Sequence, residues 1–160
     1  MFLNDQDRQK GIYLDMNSMR KFYILIAEDD ADDRFLLKTA FEESGYKNTL
    51  KFVENGVELI RHLKEVTQRK NNDEFPGFIL LDLNMPKKDG REVLKEIKEN
   101  KIFKKIPVIV FTTTKNETEI SKCYELGANS YVVKPLVFDE LVHIIKALYS
   151  YWFQISTIAG

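Results

Sequence analysis

Phe78-Ile79-Leu80-Leu81-Asp82-Leu83-Asn84-Met85-Pro86 is a short apolar run that ends in a single carboxylate and then turns. It follows Pro76-Gly77 and carries aromatic and β-branched residues, so it reads as a buried strand. A strand apolar on both faces is what a parallel sheet requires. Asp82 then stands at the C-terminal end of a central strand, the edge of an open α/β sheet where ligands bind. Taken alone it could equally begin a turn, which Asp does often.

Working outward, the same pattern recurs. Phe22 to Ala27 is apolar and ends in Glu28-Asp29-Asp30. Asp32 and Asp33 open a helix in which Phe35, Leu36, Leu37, Ala40 and Phe41 recur at helical spacing, and Gly45 stops it. Asp30 reads as that helix's cap. Thr49 to Val53 is a shorter strand, and Asn55-Gly56 turns into a helix with Val57, Leu59, Ile60, Leu63 and Val66. Residues 67–77 are polar and read as a loop. Beyond Asp82, Gly90 to Asn100 is a helix and Ile106 to Phe111 a strand with Thr112-Thr113-Thr114 at its end. Glu117 to Leu126 is a helix stopped by Gly127, Ser130 to Val133 a strand ending at Lys134-Pro135, and Phe138 to about Phe153 the last helix. Five strands alternating with five helices through short connections predict right-handed crossovers and one parallel sheet covered on both faces. Residues 1–20 read as a mobile N-terminal extension, 21–153 as the folded domain and 154–160 as a tail.

Bulk properties narrow the function. With 160 residues the chain suits one core. Its 24 basic and 25 acidic residues leave a net charge of −1, which argues against a nucleic-acid footprint. No apolar run approaches the roughly 20 residues of a membrane span, and the N-terminus lacks a signal-peptide layout. Cys123 is the one cysteine, so no internal disulfide is available, and a cytoplasmic protein is expected.

Four strands end in a chemically useful group: Glu28-Asp29, Asp82, Thr112 and Lys134. A parallel sheet brings these ends to one edge. Three crowded carboxylates must neutralise or bind a cation, and an all-oxygen site suits a hard divalent ion, Mg²⁺ where phosphate is also handled. Lys134 supplies a fixed positive charge for an oxyanion and Thr112 a hydroxyl donor. Together these groups supply what phosphoryl transfer needs, positioning plus charge neutralisation, with Asp82 left as the nucleophile.

The sequence resembles the receiver domain of two-component response regulators from about Phe22 to Tyr149. The resemblance is carried by Ile24-Leu25-Ile26-Ala27-Glu28-Asp29-Asp30, Leu80-Leu81-Asp82-Leu83-Asn84-Met85-Pro86 with Asp89-Gly90, Val108-Ile109-Val110-Phe111-Thr112, and Tyr131-Val132-Val133-Lys134-Pro135. It implies a flavodoxin-like doubly wound (βα)5 fold with strand order 2-1-3-4-5. Asp82 would accept a phosphoryl group from a phosphohistidine on a sensor histidine kinase or a histidine phosphotransfer protein. Asp29 and Asp82 would bind Mg²⁺, with the Asn84 backbone carbonyl as a further ligand and Glu28 acting through water. Lys134 would pair with the phosphoryl oxygens, and its bond to Pro135 is expected to be cis. Thr112 and Tyr131 would form the switch, and Asn84 and Thr114 would tune phosphoryl lifetime. Glu28 departs from the commoner Asp, a variant that keeps metal binding plausible. The stretches Asn84 to Leu94 and Thr112 to Lys115 look most like the small stand-alone regulators of phytochrome-type and other hybrid sensor kinases.

The output expected from the resemblance is a change on the fourth helix, fifth strand and fifth helix, read by a protein target, with at most weak autophosphatase activity. Neither nucleic acid nor membrane is an expected partner. A relay intermediate is an alternative. An aspartate-nucleophile phosphatase would want an acid where Asn84 stands, and a nucleotide or flavin module a Gly-rich loop where Glu28 to Asp33 stand. His62, His143 and Cys123 read as structural or surface residues. The Tyr149, Tyr151, Trp152, Phe153 cluster either closes over the sheet or forms a kinase or homodimer contact.

Overall fold

A computed structural model describes residues 22–46, 49–69 and 75–159. The expected extension, residues 1–20, lies outside the described residues, as does part of the loop before Phe75. Five parallel strands form one sheet: β1 (Ile24–Ala27), β2 (Leu50–Val53), β3 (Phe78–Leu81), β4 (Val108–Thr112) and β5 (Ser130–Val133), in the order β2-β1-β3-β4-β5. Five helices connect or follow them: α1 (Ala31–Glu43), α2 (Gly56–Gln68), α3 (Gly90–Glu99), α4 (Glu117–Glu125) and α5 (Phe138–Tyr149). This is the flavodoxin-like order, with its switch point between β1 and β3. β1 and β3 pair in register from Ile24 opposite Phe78 to Ala27 opposite Leu81, so their ends coincide and Glu28 and Asp82 leave the sheet side by side.

The strands read as apolar on both faces because both are covered. β1, β3 and β4 are buried throughout. One layer joins Leu25, Ile79, Leu81 and Val110 to Leu59, Leu63, Val93 and Ile97 of α2 and α3. The other joins Ile26, Phe78, Leu80 and Ile109 to Leu37, Phe41, Leu141 and Ile145 of α1 and α5. Burial of this apolar surface, worth about 25 cal/mol per Å², is the main force holding the layers together.

Local chemistry sets the helix starts. Asp30, Asn55, Asp89 and Asn116 each cap a helix by accepting a backbone N–H from its first turn. Gly90 is required sterically: a Cβ there would lie 2.4 Å from the Asp82 carbonyl oxygen. The loop carrying Asp82 is thus folded tightly onto the start of α3, and Gly90 N–H donates to the Leu83 carbonyl at 2.9 Å.

Several details differ from the sequence expectation. Phe35 and Leu36 are exposed, because α1 turns only the face with Leu37, Ala40 and Phe41 inward and 3.6-residue periodicity puts Phe35 opposite Leu37. Val57 is exposed for the same reason on α2. A short 3₁₀ turn, Phe103–Lys105, precedes β4 and buries Phe103. After Tyr149 the last helix widens into a π-helical turn, Ser150–Ile155. The Lys134–Pro135 bond is trans where a cis bond was expected; an X–Pro amide separates the isomers by only about 0.5–1 kcal/mol, so surroundings decide.

The aromatic cluster closes over the sheet. Phe153 is buried against Phe78, with ring centroids 5.6 Å apart, and against Tyr149 at 5.7 Å. Its ring occupies the space a Cβ on Gly77 would need. Tyr151 remains half-exposed at the surface. Tyr46 joins the cluster, 5.2 Å from Phe41 and 5.1 Å from Tyr149, yet its buried hydroxyl has no hydrogen-bond partner among the described residues. Burial pushes its pKa well above the ordinary tyrosine range. An unpaired buried hydroxyl costs about 1–3 kcal/mol. Tyr46→Phe is therefore expected to raise stability by roughly 1 kcal/mol in urea denaturation. A loss of stability would show that the hydroxyl is paired in solution.

Candidate phosphoacceptor site

The site is assembled from backbone first. Each strand hands its last residue to the same edge: Glu28 N–H donates to the Val53 carbonyl, Asp82 N–H to Ala27 and Lys134 N–H to Thr112, at 3.0, 3.1 and 2.8 Å. These bonds extend the sheet by one residue and fix where the side chains emerge. Asn84 N–H points back at Asp82 Oδ1 at 3.4 Å, while the Asn84 side chain faces solvent. Arg34 on α1 donates to the carbonyls of Glu28 and Asp29 at 3.0 and 2.8 Å and pairs with Glu54, which pins the acidic loop to the helix.

Glu28, Asp29 and Asp82 converge, with one carboxylate oxygen from each lying within 4.8 Å of the others. Glu28 and Asp82 are buried and Asp29 is exposed. Oxygen donors so crowded fit a hard divalent cation, with an open side toward solvent at Asp29. Burial pushes the Glu28 carboxyl up to about 7; the hydrogen bond from Lys134 pulls it down, and the charge on Asp82 pushes it up. Asp82 is likewise raised, first by burial, with Lys134 opposing and Asp29 adding to the rise.

Lys134 is the counter-charge. Its ammonium donates to Glu28 Oε2 at 2.7 Å, Asp33 Oδ2 at 3.1 Å and Asp82 Oδ2 at 3.4 Å. It also lies 5.9 Å from the centre of the Phe111 ring. Burial works against the charged form, but the carboxylates around it hold its pKa above the ordinary lysine range.

Thr112, at the end of β4, is fully buried and its hydroxyl has no partner among the described residues. A donor held dry and unpaired is poised to accept a new hydrogen-bond partner. Tyr131 on β5 is half-buried and its hydroxyl donates to the Thr114 carbonyl at 2.8 Å. That bond ties β5 to the segment between β4 and α4.

Sequence reasoning thus placed Glu28, Asp29, Asp82, Thr112 and Lys134 at one edge, and the structure puts them there. It did not place Asp33 in the site. The signal was present: Asp33 stands in the first turn of the helix that follows β1, inside a run of five acids between Glu28 and Asp33. His62 is structural, paired with the Tyr23 hydroxyl at 2.7 Å, and Cys123 is buried packing.

Comparison with known proteins points the same way. A family profile described as the response regulator receiver domain matches residues 24–146. The response regulator Rcp1 of Synechocystis is 37% identical over 135 residues, spanning 84% of this chain and 91% of that protein. Among solved structures, the Mn²⁺-bound form of Rcp1 superposes with a TM-score of 0.72 at 35% identity, covering 87% of this chain and 99% of that one. The phosphorylated cyanobacterial phytochrome response regulator RcpA gives 0.77 at 36% identity, with the same coverage.

Proposed function

The chain belongs to the response regulator receiver family, and on that premise we propose that it is a phosphoacceptor switch whose acceptor is Asp82. The observation that carries the reading is the convergence of three carboxylates on one edge with the Lys134 ammonium bonded into them. A carboxylate oxygen of Asp82 attacks phosphorus of a phosphohistidine; the new O–P bond forms as the P–N bond breaks, and the imidazole leaves with the electron pair. Asp29 and Asp82 would hold Mg²⁺, with Asn84 offering its carbonyl and Glu28 acting through water, and such an ion would supply charge neutralisation for the transferred group. Lys134 takes a phosphoryl oxygen and the unpaired Thr112 hydroxyl another. Hydrolysis later returns Asp82 and inorganic phosphate, without turnover of a metabolite.

The donor is proposed to be a sensor histidine kinase or a histidine phosphotransfer protein, in the cytoplasm. Exposed apolar residues flank the site on both sides: Phe35 and Leu36 on α1, and Leu136 and Val137 just past Lys134. They suit a helical donor surface that must approach Asp82. The proposed readout runs to α4, β5 and α5. Two connections support it: Tyr131 to the Thr114 carbonyl, and Arg91 at the start of α3, which pairs with Glu119 on α4 and with Asp89. Asn84 and Thr114 are the positions proposed to tune phosphoryl lifetime. No helix among the described residues is long and apolar enough to cross a membrane.

Incubation with acetyl phosphate and Mg²⁺ is the test. One acid-stable, base-labile adduct is expected, on the peptide carrying Asp82 and dependent on the cation. An adduct that maps to Asp29, Asp30 or Asp33 would overturn the assignment.

A further inference from the structure

We infer that Asp33 is a positioning residue of this site: it holds Lys134 until the phosphoryl group arrives, and so sets how readily the site accepts a donor. The inference rests on the phosphoacceptor reading above and adds a residue to it.

A lysine ammonium has three donors and no acceptor. Here three carboxylates stand around it, Glu28 at 2.7 Å, Asp33 at 3.1 Å and Asp82 at 3.4 Å. No N–H is left for a phosphoryl oxygen, so one bond must be released before Lys134 can engage the transferred group. The three partners are not equivalent. The side chains of Glu28 and Asp82 are only 2% and 8% exposed, whereas that of Asp33 is 42% exposed. Water can replace the ammonium at Asp33 with little penalty, and cannot at the other two. When a cation is held among Glu28, Asp29 and Asp82, the charge of Glu28 and Asp82 is shared with it. Asp33 is then the carboxylate with its full charge still directed at Lys134.

Local structure makes Asp33 suited to this role. Its backbone N–H is fixed by the Asp30 cap at 2.9 Å, and α1 is anchored next door by Arg34. The carboxylate is therefore presented from a rigid helix start, while its own side chain does no capping. Asp32, one residue earlier, is equally acidic and more exposed, and no bond from it to Lys134 is found among the described residues, which provides an internal control for the general effect of charge.

The experiment measures the phosphorylation rate against acetyl phosphate concentration at saturating Mg²⁺ for wild type, Asp33→Asn, Asp33→Glu and Asp32→Asn. Thermal melts confirm that each variant is folded, and calorimetry without donor gives cation affinity. Asp33→Asn is expected to lower the half-saturating donor concentration about threefold to fivefold, the size of one half-exposed ion pair. Asp33→Glu is expected to stay near wild type, and Asp32→Asn to change little. Cation affinity is expected to hold or fall slightly in Asp33→Asn while donor affinity rises. If Asp33→Asn behaves as wild type, or if Asp32→Asn reproduces its gain, the inference is overturned. A wild type that takes no phosphoryl group at all overturns the phosphoacceptor reading, and this inference with it.

Discussion

Asp82→Asn is expected to abolish phosphorylation and, in the absence of divalent cation, to make the protein more stable than wild type. The first effect follows from chemistry, since an amide oxygen at that position is not a competent nucleophile for phosphoryl transfer and leaves no carboxylate to form the anhydride. The second follows from electrostatics. Asp82 is buried beside Glu28 and Asp29, and its pKa is raised by burial, with Lys134 only partly opposing. A carboxylate whose pKa is raised on folding binds more protons in the native than in the unfolded state over the interval between the two values. Stability therefore falls as pH rises through that interval, and the cost of the charged form is present in full above it. Asn carries no such cost, and its amide keeps an acceptor for Asn84 N–H and Lys134. The gain is expected to be roughly 1–2 kcal/mol at pH 7.5 with a chelator present, and to disappear as the pH falls below the ordinary aspartate pKa. Saturating Mg²⁺ reverses the order, because wild type then has the better cation site. Urea denaturation with chelator and with Mg²⁺ measures both. A mutant less stable than wild type in chelator would mean that Asp82 contributes more through its hydrogen bonds than it costs through its charge.

The sheet and most of the site were legible in the chain because both depend on local patterns. Buried parallel strands are continuous apolar runs, and each of four runs stops at a residue whose chemistry is evident from its type. Glu28, Asp82, Thr112 and Lys134 needed only the rule that parallel strand ends share an edge. What was not legible depends on rotation and reach. Phe35, Leu36, Leu37 and Phe41 are all apolar positions of one helix, but only how α1 lies on the sheet decides that Leu37 and Phe41 face inward and Phe35 and Leu36 do not. Asp33 reads locally as an acid in a first helical turn; that it meets an ammonium 101 residues away depends on where α1 sits over the end of β5. That the Thr112 hydroxyl has no partner among the described residues is likewise invisible in sequence, since it is a property of everything packed around it. The widening of the last helix at Ser150 accompanies the placement of Phe153 over Phe78 and Gly77, tertiary contacts that no local pattern announces.

Lys134→Met is expected to be the most destabilising change at the site, and the loss is expected to depend on pH and on cation. Among the described residues the ammonium is the one positive group bonded to Glu28, Asp33 and Asp82, two of which are buried. Removing one partner of a buried ion pair costs about 3–5 kcal/mol, because the remaining charge is left uncompensated. Met matches the length of the stem and can keep contact with Phe111, so the change isolates charge more than packing. Glu28 already sits at about 7 with Lys134 present, and its hydrogen bond from the ammonium is among the forces holding it down. Without Lys134 its pKa moves higher. At pH 8 the mutant must either keep two buried carboxylates charged or take up a proton against the solution, and both weaken the fold. At pH 5 Glu28 is protonated in either protein, so most of the difference is expected to vanish. The wild-type lysine contributes in the opposite sense. Its raised pKa gives stability that is complete below the ordinary lysine value and is lost only as pH climbs through the folded one, so it hides nothing between pH 5 and 8. Mg²⁺ is expected to restore much of the loss at pH 8, since a cation among Glu28, Asp29 and Asp82 supplies the missing positive charge. Urea melts at pH 5 and pH 8, each with chelator and with Mg²⁺, test the argument. An equal loss under all four conditions would assign the role of Lys134 in stability to its packing over Phe111 and not to its charge.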